Sequence, residues 1–287
     1  MIRILTDSAS DITPAEAALL NVTVVPLNVT FEDGTVIRDK LDMTNDEFYT
    51  AMAGCKKLPI TSQPSPELFA AEFAAAKAAG DQTIVIHISG GLSGTGQAAR
   101  IGADLADYEA AYFVDSLTAT VAEALLVRLA VKLRDEGKTA AQITEELEQA
   151  KKHLHLLAVI DDLNNLRKGG RLSAAGAIAG GMLSIKPIIA IVEGKIAVVN
   201  KARGLPGAYV NLFKKIEELG GIDTSYDYMA VYTNSVRQVE SIQKYLTGNL
   251  SLDKALVGQV GPVIGTHAGA GAFGFAFFDA KANEETA

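Results

Sequence analysis

Three apolar runs in the first half of the chain end in the same kind of turn, and each hands over to a helical stretch. Residues 2–6 lead into Asp7-Ser8, residues 84–88 into Ser89-Gly90, and residues 111–114 into Asp115-Ser116. Strand–helix units repeated in this way close into a mostly parallel sheet with helices on both faces. The carboxyl ends of such strands share one edge, and ligands bind in the crevice there. Asp and Ser are also ordinary turn and cap formers. Their recurrence at three strand ends is what points to a shared site.

Helix signals fill the gaps between these strands. Ser65-Pro66-Glu67 combines a cap residue, a proline at the first turn and an acid at the positive end of the dipole, and the Ala-rich helix that follows stops at Gly80. Further helices are expected to about Leu105 and from about Thr118 to Glu136, and Thr139-Ala140-Ala141-Gln142 has capping-box spacing. Residues 21–29 read as a valine-rich strand. Residues 31–61 fit the alternation poorly and read as an inserted subdomain, with Glu32-Asp33-Gly34 as a hairpin turn.

Beyond Leu156 the pattern changes. A strand is expected at 156–160 and a short helix at 161–167, ended by Gly169-Gly170. Residues 173–183 are rich in Ala and Gly and suit close packing. Residues 187–192 and 195–203 flank Glu193-Gly194 as an antiparallel hairpin. Helices near 206–219 and 235–246 alternate with strands near 228–232 and 255–260, and a strand at 273–278 closes the chain before a loose tail. The expected architecture is therefore α/β in two domains. Residues 1–157 form a mostly parallel α/β sheet with the small insertion at 31–61, and residues 158–287 form an α+β domain.

Composition removes several functions. Of the 287 residues 48% are hydrophobic and 21% charged, which is the balance of a folded chain with a proper core. A net charge of −8 with no basic face evident in the sequence argues against nucleic acid or an anionic membrane as the main partner, and leaves room for a local basic patch. Cys55 is the single cysteine, so no intrachain disulfide can form. No apolar run reaches the roughly 18–20 residues that span a bilayer. The first residues read as a strand rather than a leader. A cytoplasmic protein without integral membrane association is the expectation.

Candidate site residues cluster in three places. Ser89-Gly90-Gly91-Leu92-Ser93-Gly94-Thr95-Gly96 joins a strand to a helix start, where free N–H groups and hydroxyls can hold a phosphate or a carboxylate. Thr61 and Ser62 lie too far upstream to cap the helix at Pro66, and they can project hydroxyls toward the same sheet edge. His267 sits in the glycine-flanked stretch 261–269, read as a loop where backbone can approach a ligand. Of the other histidines, His87 reads as a core residue and His153 and His155 as surface or capping residues. Without a Cys/His cluster a zinc site is not expected. Asp7 and Asp11 are explained more simply as caps than as a magnesium pair. The stretch from Gly269 to Gly274 matches G-x-G-x-x-G, but no strand–helix–strand unit follows it, so no dinucleotide site is expected.

Three functions fit these residues. Ser93, Asp115 and His267 occur in the chain order of an α/β-hydrolase acting on acyl esters, although Gly91-Leu92-Ser93-Gly94-Thr95 lacks the second glycine of a nucleophile elbow. Alternatively, hydroxyls and one histidine grip the anionic head of a ligand whose remainder lies in an apolar cavity. A binding module for a sugar or nucleotide phosphate is the third.

The joint order of Thr6-Asp7-Ser8-Ala9-Ser10-Asp11, Thr61-Ser62-Gln63-Pro64-Ser65, Leu92-Ser93-Gly94-Thr95 with Gln97, Asp115-Ser116, Lys168-Gly169-Gly170-Arg171 and Gly261-Pro262 with Ile264-Gly265 and His267 resembles the DegV family. These are the fatty-acid-binding (FakB-type) subunits of bacterial fatty acid kinase. The resemblance covers nearly the whole chain. It implies a long-chain fatty acid in a tunnel between two domains, with no cofactor and no catalysis by this chain. Carried over by motif, Thr61 and Ser93 bind the carboxylate and His267 completes the polar cluster, with Ser62, Gly94 and Thr95 beside them. The acid is presented to a separate ATP-dependent, DAK-like kinase subunit that makes the acyl phosphate for phospholipid synthesis. Arg171 and Arg203 match positions implied in docking that kinase, although a cap on carbonyls or a surface ion pair explains them as well. Two departures stand out. Ser89-Gly90-Gly91 replaces a serine pair, and Ala268-Gly269-Ala270-Gly271 replaces Gly-Pro-Gly after the histidine.

Overall fold

The computed structural model describes residues 1–172 and 184–280. The small-residue stretch 173–183 and the tail 281–287 lie outside the described residues. The first half runs β1 (Ile2–Asp7), α1 (Pro14–Leu20), β2 (Thr23–Val25), β3 (Asn28–Thr30), β4 (Val36–Arg38), α2 (Asn45–Gly54), β5 (Ile60–Ser62), α3 (Pro66–Ala79), β6 (Gln82–His87), α4 (Thr95–Leu105), β7 (Ala111–Asp115), α5 (Val121–Asp135) and α6 (Ala140–Ala150). Four of these strands form a parallel sheet in the order β2-β1-β6-β7. β6 is buried along almost its whole length, as a parallel strand covered on both faces must be.

Local chemistry sets the boundaries. The single strand expected at 21–29 is two strands, because Pro26 has no N–H to give a ladder and the chain turns there into a second sheet. That sheet, β4-β3-β5, is antiparallel and joins the expected hairpin to the strand carrying Thr61. Ser65 stands at the cap position of α3 without a side-chain cap bond, and Gly80 ends the helix at φ 68°. Thr139 and Gln142 form the reciprocal capping box expected of them.

The second half runs β8 (Leu154–Val159), α7 (Asn164–Lys168), β9 (Ile185–Val192), β10 (Lys195–Arg203), α8 (Gly204–Glu218), β11 (Met229–Tyr232), α9 (Glu240–Lys244), β12 (Leu256–Gln259), α10 (Pro262–Ala268) and β13 (Phe273–Phe278). Its six strands form one mixed sheet in the order β10-β9-β8-β13-β11-β12, in which only β11 and β12 are parallel. The β9–β10 turn has left-handed backbone at Glu193 (φ 49°) and Gly194 (φ 75°), the conformation of a tight two-residue hairpin.

Helix α5 joins the two large sheets. Its buried residues, among them Val121, Leu125, Leu126, Val127 and Leu133, lie all round the helix rather than on one stripe. They pack against Ile4, Ile84 and Ile86 of the parallel sheet and against Met229, Val231 and Phe278 of the mixed sheet. Separate apolar clusters around Phe48 and Val263, and around Ile160 and Ile189, line the space where the three sheets approach one another.

Candidate functional site: a polar mouth on an apolar cavity

A cavity of about 900 Å³, counted out through its mouth, lies among the three sheets. Its walls are apolar: Leu27 and Ile88 from one side, Leu156, Ile189, Ile191 and Phe273 from the mixed sheet, and Val263 and Ile264 from α10. Polar groups gather in one set of lining residues, namely Thr61, Ser62, Gln63, Ser93, Arg171 and His267. Thr120 also touches the cavity, but its hydroxyl donates to Asp11.

Residues far apart in sequence meet here. Thr61 Oγ1 lies 2.8 Å from His267 Nε2. The expected loop around His267 is in fact helix α10, with Pro262 in its first turn and Gly269 leaving it at φ 76°. The glycines that suggested a loop serve close packing: a Cβ on Gly265 would lie 2.5 Å from the Tyr49 hydroxyl. Burial, reinforced by the nearby Arg171 guanidinium, lowers the His267 pKa to about 4, so the ring is neutral near pH 7. Its Nδ1 is buried and has no hydrogen-bond partner.

Ser93 reaches the cavity from the turn before α4, and its hydroxyl is 2.9 Å from Thr95 Oγ1. Thr95 is buried behind Ser93 and fixes it; neither Thr95 nor Gly94 lines the cavity. Arg171 Nε donates to the Leu92 carbonyl at 3.2 Å and Nη1 to the Gly169 carbonyl at 2.6 Å. Arg171 thus caps carbonyls and also faces the mouth. Arg203 is elsewhere, exposed at the start of α8. Gln63, and the mouth position of Arg171, were not legible in the sequence, because both depend on how β5 and the segment after α7 converge.

The glycine-rich turn does not use its backbone as an anion cradle over 89–93. Ser89 N–H donates to Thr118 O, Gly90 N–H to the Asp115 carboxylate, Gly91 N–H to Ser89 Oγ, and the Leu92 and Ser93 N–H groups to Ser89 O. Ser89 Oγ donates across to Gly194 O of the β9–β10 turn at 2.7 Å. Gly91 packs on that same carbonyl, where a Cβ would lie 2.4 Å away. The strand-end acids hold this frame together. Asp7 accepts from Ile88 N–H and Ala9 N–H, and Asp115 accepts from Gly90 and Leu117 N–H.

The hydrolase arrangement is therefore not assembled. The Asp115 carboxylate is occupied by backbone N–H groups and does not line the cavity, while His267 pairs with Thr61 rather than with a carboxylate. Asp11 likewise carries other partners than a metal: it accepts from Thr120 and Gly261 N–H and pairs with Lys40 Nζ at 2.9 Å. No cluster of His, Cys, Asp and Glu among the described residues could hold a metal ion. His87 is buried as expected, with Nδ1 2.7 Å from the Ile88 carbonyl. His153 and His155 both face the Asp279 carboxylate. No described helix is long and apolar enough to cross a membrane.

A sequence model of the DegV family, described as an uncharacterised protein family, matches residues 1–280. The chain belongs to that family. It is 31% identical over 281 residues to a DegV domain-containing protein of Halalkalibacterium halodurans, covering 98% of this chain and 99% of the relative. Among solved structures it is similar to a DegV family protein of Thermus thermophilus described by its fatty acid binding, with a TM-score of 0.88 and 31% identity over 97% of this chain and 99% of that one. It is also similar to DegV of Bacillus subtilis, described as a fatty acid binding protein, with a TM-score of 0.84 and 28% identity over 97% and 99%.

Proposed function

We propose that the protein is a carrier that holds a long-chain fatty acid in the apolar cavity and offers its carboxylate at the polar mouth to a partner ATP-dependent kinase, which forms the acyl phosphate. The observation that carries this is the closed pairing of Thr61 with His267 on the rim of a cavity whose remaining walls are almost wholly apolar. The fatty acid binding of the Thermus thermophilus and Bacillus subtilis relatives supports the same ligand class. In this account the acid lies between the domains 1–157 and 158–287, and strand β8, which spans the division, forms part of its wall.

The energetics suit a carrier. Burying roughly 14 methylenes at about 0.8 kcal/mol each gives on the order of 10 kcal/mol. A carboxylate taken into the same cavity is costly unless it is hydrogen-bonded. Charge-assisted bonds from Thr61, Ser93 and the mouth of the cavity, each contributing about 1.5–3 kcal/mol, offset that cost. Arg171 supplies the single positive charge among the polar lining residues. Because the other donors are neutral, a carboxylate oxygen keeps its nucleophilic character toward an incoming phosphoryl group.

Mass spectrometry of lipid extracted from the purified protein tests the ligand. A stoichiometric long-chain acid is expected; no acid in the extract and no uptake of added oleic or palmitic acid would sink the proposal. Arg203 tests the partner, since it lies away from the cavity. Arg203→Glu is expected to impair acyl phosphate formation with the kinase while fatty acid binding is unchanged. Arg171→Glu is expected to impair both.

A further inference from the structure

A second cleft, about 690 Å³ counted through its opening, lies between the C-terminal end of α2, the segment 55–59, α7 and Ala270. Lys56 and Lys57 line it from one side and Lys168 from the other, with Asn165 on the α7 wall. All three lysines are exposed, and none forms an ion pair among the described residues. Acidic groups stand at one end: Glu32 accepts from Lys56 N–H, and Glu32 and Asp33 help to raise the Cys55 thiol pKa. Three lysines from two segments distant in sequence therefore line one concavity of a chain whose net charge is −8. Like charges that line one concavity with no ion-pair partner of their own repel, and an anion between them removes that repulsion.

The cleft is walled by chain neighbours of the mouth residues. Pro59 stands two residues before Thr61, and Ala270 three residues after His267. Lys168 precedes Gly169, which packs so closely on the His267 ring that a Cβ there would meet Nδ1. The two concavities thus lie on either side of one wall.

We propose that this cleft is an anion site for phosphate groups. Lysines meet phosphate as mobile point charges with several donors each, and three of them suit a group bearing two or more negative charges. The source is either a soluble oligophosphate or the headgroup of an anionic phospholipid. The site does not depend on what the apolar cavity holds.

Binding of pyrophosphate by calorimetry, and co-sedimentation with phosphatidylglycerol vesicles against phosphatidylcholine vesicles, distinguishes the sources. Saturable binding to either probe is expected, weakened about tenfold or more in the triple variant Lys56→Gln, Lys57→Gln, Lys168→Gln. Fatty acid content and thermal stability, measured on the same samples, are expected to stay unchanged. Pyrophosphate binding alone assigns a soluble phosphate, and vesicle binding alone assigns a headgroup. The proposal is overturned if neither probe binds, or if the triple variant binds as tightly as the unaltered protein.

Discussion

Two glycine-rich segments look alike in the sequence and behave differently in the structure. Residues 89–96 have their first five N–H groups bonded inside the protein, and their glycines admit the Gly194 carbonyl and the Gln63 side chain. Residues 261–269 instead form a helix whose last turn delivers His267 with one nitrogen paired and the other buried and unpartnered. The first segment is a frame that aims Ser93; the second brings His267 to the cavity wall with Nε2 paired to Thr61. Glycine in both cases permits close approach of protein to protein, and the side chains, not the glycines, mark the ligand end.

The sharpest way to break this contrast is at the frame. Gly91→Val places a branched side chain against the Gly194 backbone, which cannot rotate away. A loss on the order of 3 kcal/mol in denaturant unfolding is expected; a loss under about 0.5 kcal/mol would show that the turn is not clamped. At the cavity mouth, Thr61→Val is expected to weaken fatty acid binding about tenfold or more, as removal of one charge-assisted bond predicts, and to cost about 1–3 kcal/mol of stability because His267 Nε2 loses its partner. Titration of both Kd and unfolding separates these effects.

The pH dependence of stability sharpens the comparison further. The His267 pKa falls from 6.5 to about 4 on folding, so between those values the unfolded chain binds more protons and stability rises with pH. Asp7 and Asp39 are raised from 3.8 to about 7, mainly by burial, so their contribution is complete below about 3.8 and is lost as pH rises to about 7. His267→Ala is expected to remove the rising part and Asp39→Asn to flatten the falling part; unchanged slopes in both variants would contradict these assignments. The smallest effect is expected for Gly94→Ala. Its Cβ would meet only the end of the exposed Gln63 side chain, which can move, so stability is expected to change by less than about 0.5 kcal/mol.

Much of the fold was legible because its signals are local. The start of α3 at Pro66, the capping box at Thr139, the Glu193-Gly194 turn and strand β13 stand where residue chemistry put them. The sequence places the Ser93 hydroxyl in the turn between a strand and a helix and the Thr61 hydroxyl upstream of the helix at Pro66, and both residues line the cavity. What the sequence hid is long-range. Glycines at 261, 265 and 269 suggested a loop, yet Pro262 starts a helix and packing against Tyr49 holds it. Arg171 reads by resemblance as a partner contact or as a cap on carbonyls; it does bond the Leu92 and Gly169 carbonyls, and its place in the cavity lining has no local signal. No local pattern encodes such a meeting, because it depends on how two sheets settle on α5.

One contact ties those sheets together at the point that matters for Ser93. The β9–β10 turn presses on Gly91 and takes a hydrogen bond from Ser89, so backbone of the mixed sheet abuts the turn that follows β6. The same hairpin lines the cavity with Ile189, Ile191 and Ile196, so one element both walls the apolar space and braces the residues just before Ser93.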